Sequence, residues 1–231
     1  MNEIFLFKKC LCCGNPSGIF QICKKCEKDF LVPYDFAVAH CAVCGKKLIS
    51  ENDICCECRE NAVIQNLDSV YPLFSYKIWK KDLLFNWKML GKRYYAFYFA
   101  AKIFSVYDKK FKGLPLVPVP PRPLKIYKKG WDQIRDLVNV LKIFYKIPVV
   151  PLLIRTEKNE QKKKNRSERL NGNTAYRFNQ KLLRKKQFSS PKEVVLIDDI
   201  LTTGVTVENC CEVLKKNGVE KVHAITVFIA D

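Results

Sequence analysis

Residues 194–206 read VVLIDDILTTGVT. Val194 to Ile197 is an unbroken apolar run, the pattern of a strand buried on both faces of a parallel sheet. Two adjacent carboxylates follow, Asp198 and Asp199, and then Thr202, Thr203 and Thr206 around Gly204. Further on, the pattern predicts a helix over about 207–217, ended at Gly218 in a favourable cap position, and one more strand over 222–229. Strand, loop, helix, strand is the unit of a parallel α/β sheet, and such sheets bind ligands outside the carboxyl ends of their strands.

The chemistry of the stretch can be read from its order. A helix N-terminus offers unsatisfied N–H groups and the positive end of a dipole, so it holds a phosphate. The three threonines add hydroxyl donors, and Gly204 lets the backbone come close. The G-x-x-x-x-G-K pattern of a P-loop is absent. The two acids lie three residues upstream of the loop, about one ribose away. Ionised aspartates only accept hydrogen bonds, and vicinal hydroxyls call for paired acceptors. Asp198 and Asp199 are therefore expected to grip the 2′- and 3′-hydroxyls of a ribose 5-phosphate. The expected contact set on this stretch is Asp198, Asp199, Leu201, Thr202, Thr203, Gly204, Val205 and Thr206.

Upstream, LPLVPVPPRP (114–123) reads as a short buried strand that ends early and runs into a rigid loop bearing Arg122. A helix is expected from KKGWDQ (128–133) to about Tyr145, and a strand over 148–154. The segment 155–169, RTEKNEQKKKNRSER, is almost wholly polar. It reads either as a solvated loop or as a basic hood closing on an anion. Between 80 and 107 aromatic and basic residues recur at helical spacing, with Gly91 expected to divide two helices. A core-facing stripe explains this pattern best; a basic surface for stacking bases is the other reading.

The front of the chain is different. Ten of its twelve cysteines precede residue 60, in four knuckles: Cys10 with Cys13, Cys23 with Cys26, Cys41 with Cys44, and Cys55 with Cys58. A two-residue gap lets one tight turn aim two sulfurs at one metal, and four thiolates suit tetrahedral zinc. One or two structural Zn²⁺ ions are expected, with sequential pairing of the knuckles as the working assignment and interleaved pairing open. Cys12 and Cys56 are spare thiols that could substitute. An iron–sulfur cluster is the lesser alternative. With all four positions at each centre taken by protein, no open position remains for catalysis. Some 60 residues with few large aliphatics need such a staple to fold. Cys210 and Cys211, on the last helix, read as small core residues.

The totals agree with this division. At 231 residues the chain accommodates a small cysteine-rich domain over 1–62 and a larger domain over 63–231. Its formal charge is +18, or about +14 once two four-thiolate zinc sites are counted, which favours a polyanionic partner. No apolar run approaches the length of a membrane span, and MNEIFLFKKCLCC lacks the form of a secretory segment. A cytoplasmic location is expected, where thiols serve metals rather than disulfides.

VVLIDDILTTGVT resembles the phosphoribosyl pyrophosphate signature of type I phosphoribosyltransferases. From Cys10 to about Phe228 the chain resembles the ComF family of competence proteins, in which a cysteine zinc module precedes a phosphoribosyltransferase-like domain. Val117-Pro-Val-Pro120 and Lys129-Gly-Trp-Asp-Gln133 are similar to the family's VPVP and R-G-F-N-Q elements. Arg155-Thr156, Gln161, Arg166, Arg169, Asn171 and Tyr176, the last where Phe is usual, are similar to its flexible-loop pattern. The chain departs from the family where Lys129 replaces Arg and Trp131-Asp132 replaces Phe-Asn. Lysine keeps the charge and loses the bidentate geometry.

The resemblance implies an α/β fold: a three-layer, mostly parallel sheet of the Rossmann-like phosphoribosyltransferase kind, preceded by a double zinc ribbon. It implies that Arg122 and Lys129 join the phosphoribosyl pyrophosphate site, that Arg155, Gln161, Arg166 and Arg169 belong to the hood, and that Mg²⁺ arrives with the pyrophosphate. It also implies a role in natural transformation, handling single-stranded DNA beside a helicase-like partner. Three functions stay open at this level. The site binds phosphoribosyl pyrophosphate without turnover in a DNA-handling protein; it transfers the ribose 5-phosphate to a base or amine; or the chain is a structural adaptor docking a protein through its zinc ribbons. No nucleobase pocket is evident in the sequence.

Overall fold

The computed structural model describes residues 8–18, 21–31, 33–76, 81–122, 127, 130–156, 175–183 and 189–230. In chain order these form β1 (Lys8–Lys9), β2 (Pro16–Ser17), α1 (Lys24–Phe30), α2 (Cys56–Asn61), β3 (Ser69–Tyr76), α3 (Lys81–Lys88), α4 (Tyr95–Lys110) and β4 (Leu116–Pro118). There follow α5 (Gln133–Phe144), β5 (Leu153–Arg155), β6 (Tyr176–Phe178), α6 (Gln180–Leu183), β7 (Glu193–Leu201), α7 (Val205–Lys216) and β8 (Lys221–Ala230). Lys129, Gln161, Arg166, Arg169 and Asn171 lie outside the described residues.

The centre is a four-stranded parallel sheet in the order β3-β8-β7-β4. Alternation along β7 and β8 sends Val195, Ile197, Ile225 and Val227 to one face, where the core continues into α3, α4 and α5. Val194, Leu196, Val222 and Ala224 face the other way, against Val207, Cys210, Cys211 and Leu214 of α7. Helices thus cover both faces, as continuous apolar strands require, and the expected three-layer α/β fold is the one observed. Both late cysteines are fully buried in this core. At the amino-terminal edge of the sheet, His223 joins Ser69 (2.6 Å) and Glu193 (2.7 Å) across three strands.

Several boundaries differ from expectation for physical reasons. β7 runs four residues past the apolar run, so Asp198 and Asp199 lie within the strand's last turn of pleat and not beyond its end. The segment 148–154 is not one strand: Val149 pairs in parallel with Leu116, whereas β5 pairs antiparallel with β6. Pro148 and Pro151 lack the N–H groups that a continuous ladder would use. The helix expected over about 207–217 begins at Val205, directly after Gly204. Gly91, at φ +66°, does separate α3 from α4. In that region the core-facing reading holds for most of the stripe: Leu83, Leu84, Trp87, Tyr95, Tyr98 and Phe99 are buried. Leu90 and Tyr94 are the exceptions, both exposed.

The cysteine-rich part packs on the rest of the fold at several places. Cys10, Ile22, Cys26 and Leu31 share one apolar core with α4, where Glu27 accepts a hydrogen bond from the Tyr98 hydroxyl at 2.8 Å. Pro33 bridges Phe74 of β3, and the Tyr34 N–H donates to the Leu73 carbonyl. After α2 the chain crosses the carboxyl edge of the sheet. Ile64 is buried there, and Glu208 of α7 accepts from the backbone N–H groups of Gln65 (2.8 Å) and Asn66 (3.0 Å).

Candidate functional site

The two acids come to the carboxyl edge of β7 but are held differently. Asp199 is buried, and its Oδ2 receives Gln133 Nε2 at 2.6 Å and Lys88 Nζ at 2.7 Å. It therefore faces α3 and α5. Asp198 is half-buried, accepts the Asp199 N–H on Oδ1 at 2.8 Å, and its charge is felt by Tyr176 and Cys210 on the opposite face. Burial pushes the Asp198 carboxyl up to about 8, and the neighbouring Asp199 charge pushes in the same direction.

Below the acids the chain makes the tight loop before α7. Gly204 is the N-cap residue, at φ +82°, a conformation that costs little only for glycine. The Glu208 N–H bonds the Gly204 carbonyl at 2.9 Å, so the amides just ahead of it open the helix without an intrahelical acceptor. Thr202 and Thr203 are exposed at the loop's mouth, and Thr206 is half-buried. Leu201 is buried and Val205 exposed, so neither apolar side chain supplies a polar contact. Arrayed amides, hydroxyls and a dipole end make this a place for a dianionic phosphate.

The base of the expected hood is β5 with β6. Arg155 and Tyr176 face each other across the two strands; Arg155 Nη1 donates to the Tyr176 hydroxyl at 2.9 Å. The Tyr176 hydroxyl also engages Thr206 in the phosphate loop, and burial raises its pKa to about 12. The hydroxyl that sets this residue apart from Phe thus ties the hood's stem to the loop. Arg122, just past β4, is exposed.

Four contributions were not anticipated from sequence. Lys88 reaches Asp199 from the end of α3, and Gln133 reaches it from the first residue of α5. Asp132 caps α5, accepting from Ile134 and Arg135 N–H at 3.0 Å each. Trp131 lies against Gly91, 3.4 Å from where a Cβ would stand, and so seats the end of α3 beside the start of α5. The GWDQ element therefore works as packing, cap and donor in successive residues. No periodicity in the sequence marks Lys88, since any surface lysine beside an apolar stripe looks the same.

The cysteines assemble into two sets of four with sequential pairing: Cys10, Cys13, Cys23 and Cys26, and Cys41, Cys44, Cys55 and Cys58. Within each set all sulfurs lie within 4.8 Å of one another. The two sets are built alike: the first knuckle turns at a glycine of positive φ (Gly14, Gly45), and the second opens a short helix with its leading cysteine as N-cap. Burial opposes ionisation of Cys10 and Cys41, but backbone N–H groups of their own knuckles and of Cys23 and Cys55 outweigh it and lower both to about 6. Burial pushes the thiols of Cys26, Cys44 and Cys58 up instead, so it is the spacing of four close sulfurs that fits zinc. Cys12 instead contacts the Tyr95 hydroxyl at 3.1 Å, and Cys56 lies with Glu51 and Arg59, both outside the sets of four.

A groove between α4 and α5 is lined by Arg93, Tyr94, Phe97, Asp136, Ile143 and Phe144. Phe97 meets Phe144 edge to face at 5.6 Å, Tyr94 meets Phe97 at 5.2 Å, and Lys8 lies over the Tyr94 ring. Among the described residues, no helix is long and apolar enough to cross a membrane.

Residues 134–231 match the family model of the phosphoribosyl transferase domain. The chain is 26% identical to competence protein ComFC of Streptococcus pneumoniae (strain ATCC BAA-255 / R6) over 229 residues, covering 98% of this chain and 95% of the relative. The resemblance to the ComF family thus spans the cysteine-rich part and the sheet domain together.

Proposed function

We propose that this ComF-like protein, with its phosphoribosyl transferase domain, binds phosphoribosyl pyrophosphate with Mg²⁺ and handles single-stranded DNA in natural transformation. One observation carries the ligand assignment: Asp198 and Asp199 close a parallel strand, and the next turn caps α7 with a left-handed glycine. Vicinal hydroxyls have acceptors at the acids, and the 5′-phosphate has amides and threonine hydroxyls at the loop. Arg122 and Lys129 serve the pyrophosphate, and the hood residues Arg155, Gln161, Arg166 and Arg169 close over it. Mg²⁺ arrives bound to the pyrophosphate oxygens, keeping several of its waters.

The nucleic-acid part is supported by the formal charge of +18, by likeness to a competence protein, and by the aromatic groove between α4 and α5. Bases stack on rings such as Tyr94 and Phe144 while nearby lysines meet phosphates. The paired cysteine sets hold two Zn²⁺ ions that give the front domain, 1–62, its fold and seat it on the sheet domain, 63–231. A cytoplasmic location and a helicase-like partner complete the reading.

Transferase turnover is the second reading, favoured by the match of residues 134–231 to a transferase domain. Calorimetry with phosphoribosyl pyrophosphate, ribose 5-phosphate and pyrophosphate, each with Mg²⁺, tests binding. The full ligand is expected to bind tighter than either half, and no heat from any of them at millimolar concentration would end the ligand assignment. Release of pyrophosphate in the presence of one base or amine from a panel would establish the second reading in place of simple binding.

A further inference from the structure

We propose that Lys88 is a positioning residue of the phosphoribosyl site: it pairs with Asp199, offsets the repulsion between the two neighbouring acids and aims Asp199 so that this acid can accept a ligand hydroxyl. The inference rests on the ligand assignment made above and adds a residue to it. Two helices converge on one oxygen of β7. The last residue of α3 and the first residue of α5 both end on Asp199 Oδ2, at 2.7 and 2.6 Å. Among the described residues no hydrogen bond ends on Asp199 Oδ1, which leaves that oxygen to a ligand.

The need for a cation follows from the strand. Two successive carboxylates at a desolvated edge repel each other, and a nearby positive charge reduces that repulsion. The groups that face this pair are Lys88 from α3, Gln133 of α5 and its N-cap Asp132, Tyr76 from β3 beside Lys88, and, on the Asp198 side, Tyr176 of β6 with its partner Arg155 and Cys210 of α7. Lys88 is the cation paired with Asp199, and its charge also favours the ionised form of Asp198. Gln133 Nε2 can only donate, so it too favours the charged carboxylate. The lysine's place is fixed from both sides: the preceding Trp87 is fully buried, and Gly91 is covered by Trp131. The Lys88 side chain is about one-third exposed (31%) and ends 2.7 Å from the acid.

The test is calorimetry of phosphoribosyl pyrophosphate with Mg²⁺ from pH 6 to 9 on the wild type, Lys88→Arg and Lys88→Met, with thermal melting of each. Lys88→Met is expected to lose about tenfold in affinity at neutral pH and to recover as pH rises, its profile displaced upward by about one unit or more. Lys88→Arg is expected to keep the wild-type profile. If Lys88→Met does not fold, Lys88→Gln takes its place. Wild-type affinity and profile in the methionine variant would overturn the proposal, as would a loss that is flat with pH and not rescued by arginine. A wild type that does not bind would instead remove the ligand assignment beneath it.

Discussion

The side chain of Ile64 occupies the space where a Cβ on Gly204 would stand, at 2.4 Å from its Cγ1. The segment leaving the cysteine-rich part is thereby pressed onto the phosphate loop, and Glu208 of the same helix holds that segment by its amides. Gly204→Ala faces two costs, a positive φ and an overlap with a buried side chain. It is expected to destabilise the protein by about 2–4 kcal/mol in urea unfolding. Adding Ile64→Ala relieves the overlap but not the backbone strain. The double variant should therefore recover part of what Gly204→Ala loses relative to Ile64→Ala alone.

The metal count distinguishes ligands from spare thiols. Two zinc ions per chain are expected by elemental analysis. Cys13→Ser and Cys44→Ser should each lose one, because each removes a sulfur from a set of four. Cys12→Ser and Cys56→Ser should keep both, since their sulfurs contact Tyr95 and Glu51 instead. Chelation should unfold the front of the chain before the sheet, read as loss of protection in residues 8–60 by hydrogen exchange.

Asp198 makes stability depend on pH in an unusual direction. Its carboxyl titrates near 8 in the folded protein, first because it is desolvated and then because Asp199 is charged. Between about pH 4, the ordinary carboxylate value, and 8 the folded form therefore holds a proton that the unfolded chain has released. Stability from this group is greatest below the lower value, falls as pH rises through the window, and levels off above 8. Asp198→Asn should raise the melting temperature more at pH 8 than at pH 5. In the wild type, affinity for the sugar phosphate should rise toward pH 8, because a carboxylate accepts hydroxyl hydrogens better once ionised.

Single-stranded DNA binding is expected to draw on the groove between α4 and α5. Tyr94→Ala and Phe144→Ala should each weaken binding by about 1–3 kcal/mol in a fluorescence titration while leaving the salt dependence nearly unchanged. Lys8→Ala should reduce the slope of affinity against salt by about one. Binding that ignores all three changes would place the nucleic acid elsewhere on the surface.

Much of this was legible in the residues. The apolar run before Asp198 and the glycine ahead of α7 point to the sheet and the loop, and the cysteine spacing points to metal-binding sets of four, whose sequential pairing the fold decides. What stayed hidden depends on contacts between distant segments. Asp199 is bonded by a lysine 111 positions upstream and a glutamine 66 positions upstream, and neither carries a local mark of that role. Likewise 148–154 has strand composition throughout, yet its prolines divide it between two sheets. The acids appeared as an equivalent pair because adjacency in sequence hides alternation in a strand; they face opposite layers, one toward Lys88 and the other toward Tyr176.

The most direct measurement is a crystal structure grown with phosphoribosyl pyrophosphate and Mg²⁺. The 5′-phosphate is expected within hydrogen-bonding distance of the amides at 204–207, and the ribose hydroxyls against Asp198 and Asp199. A ligand bound away from that strand edge, or a ribose whose hydroxyls contact neither acid, would contradict that placement.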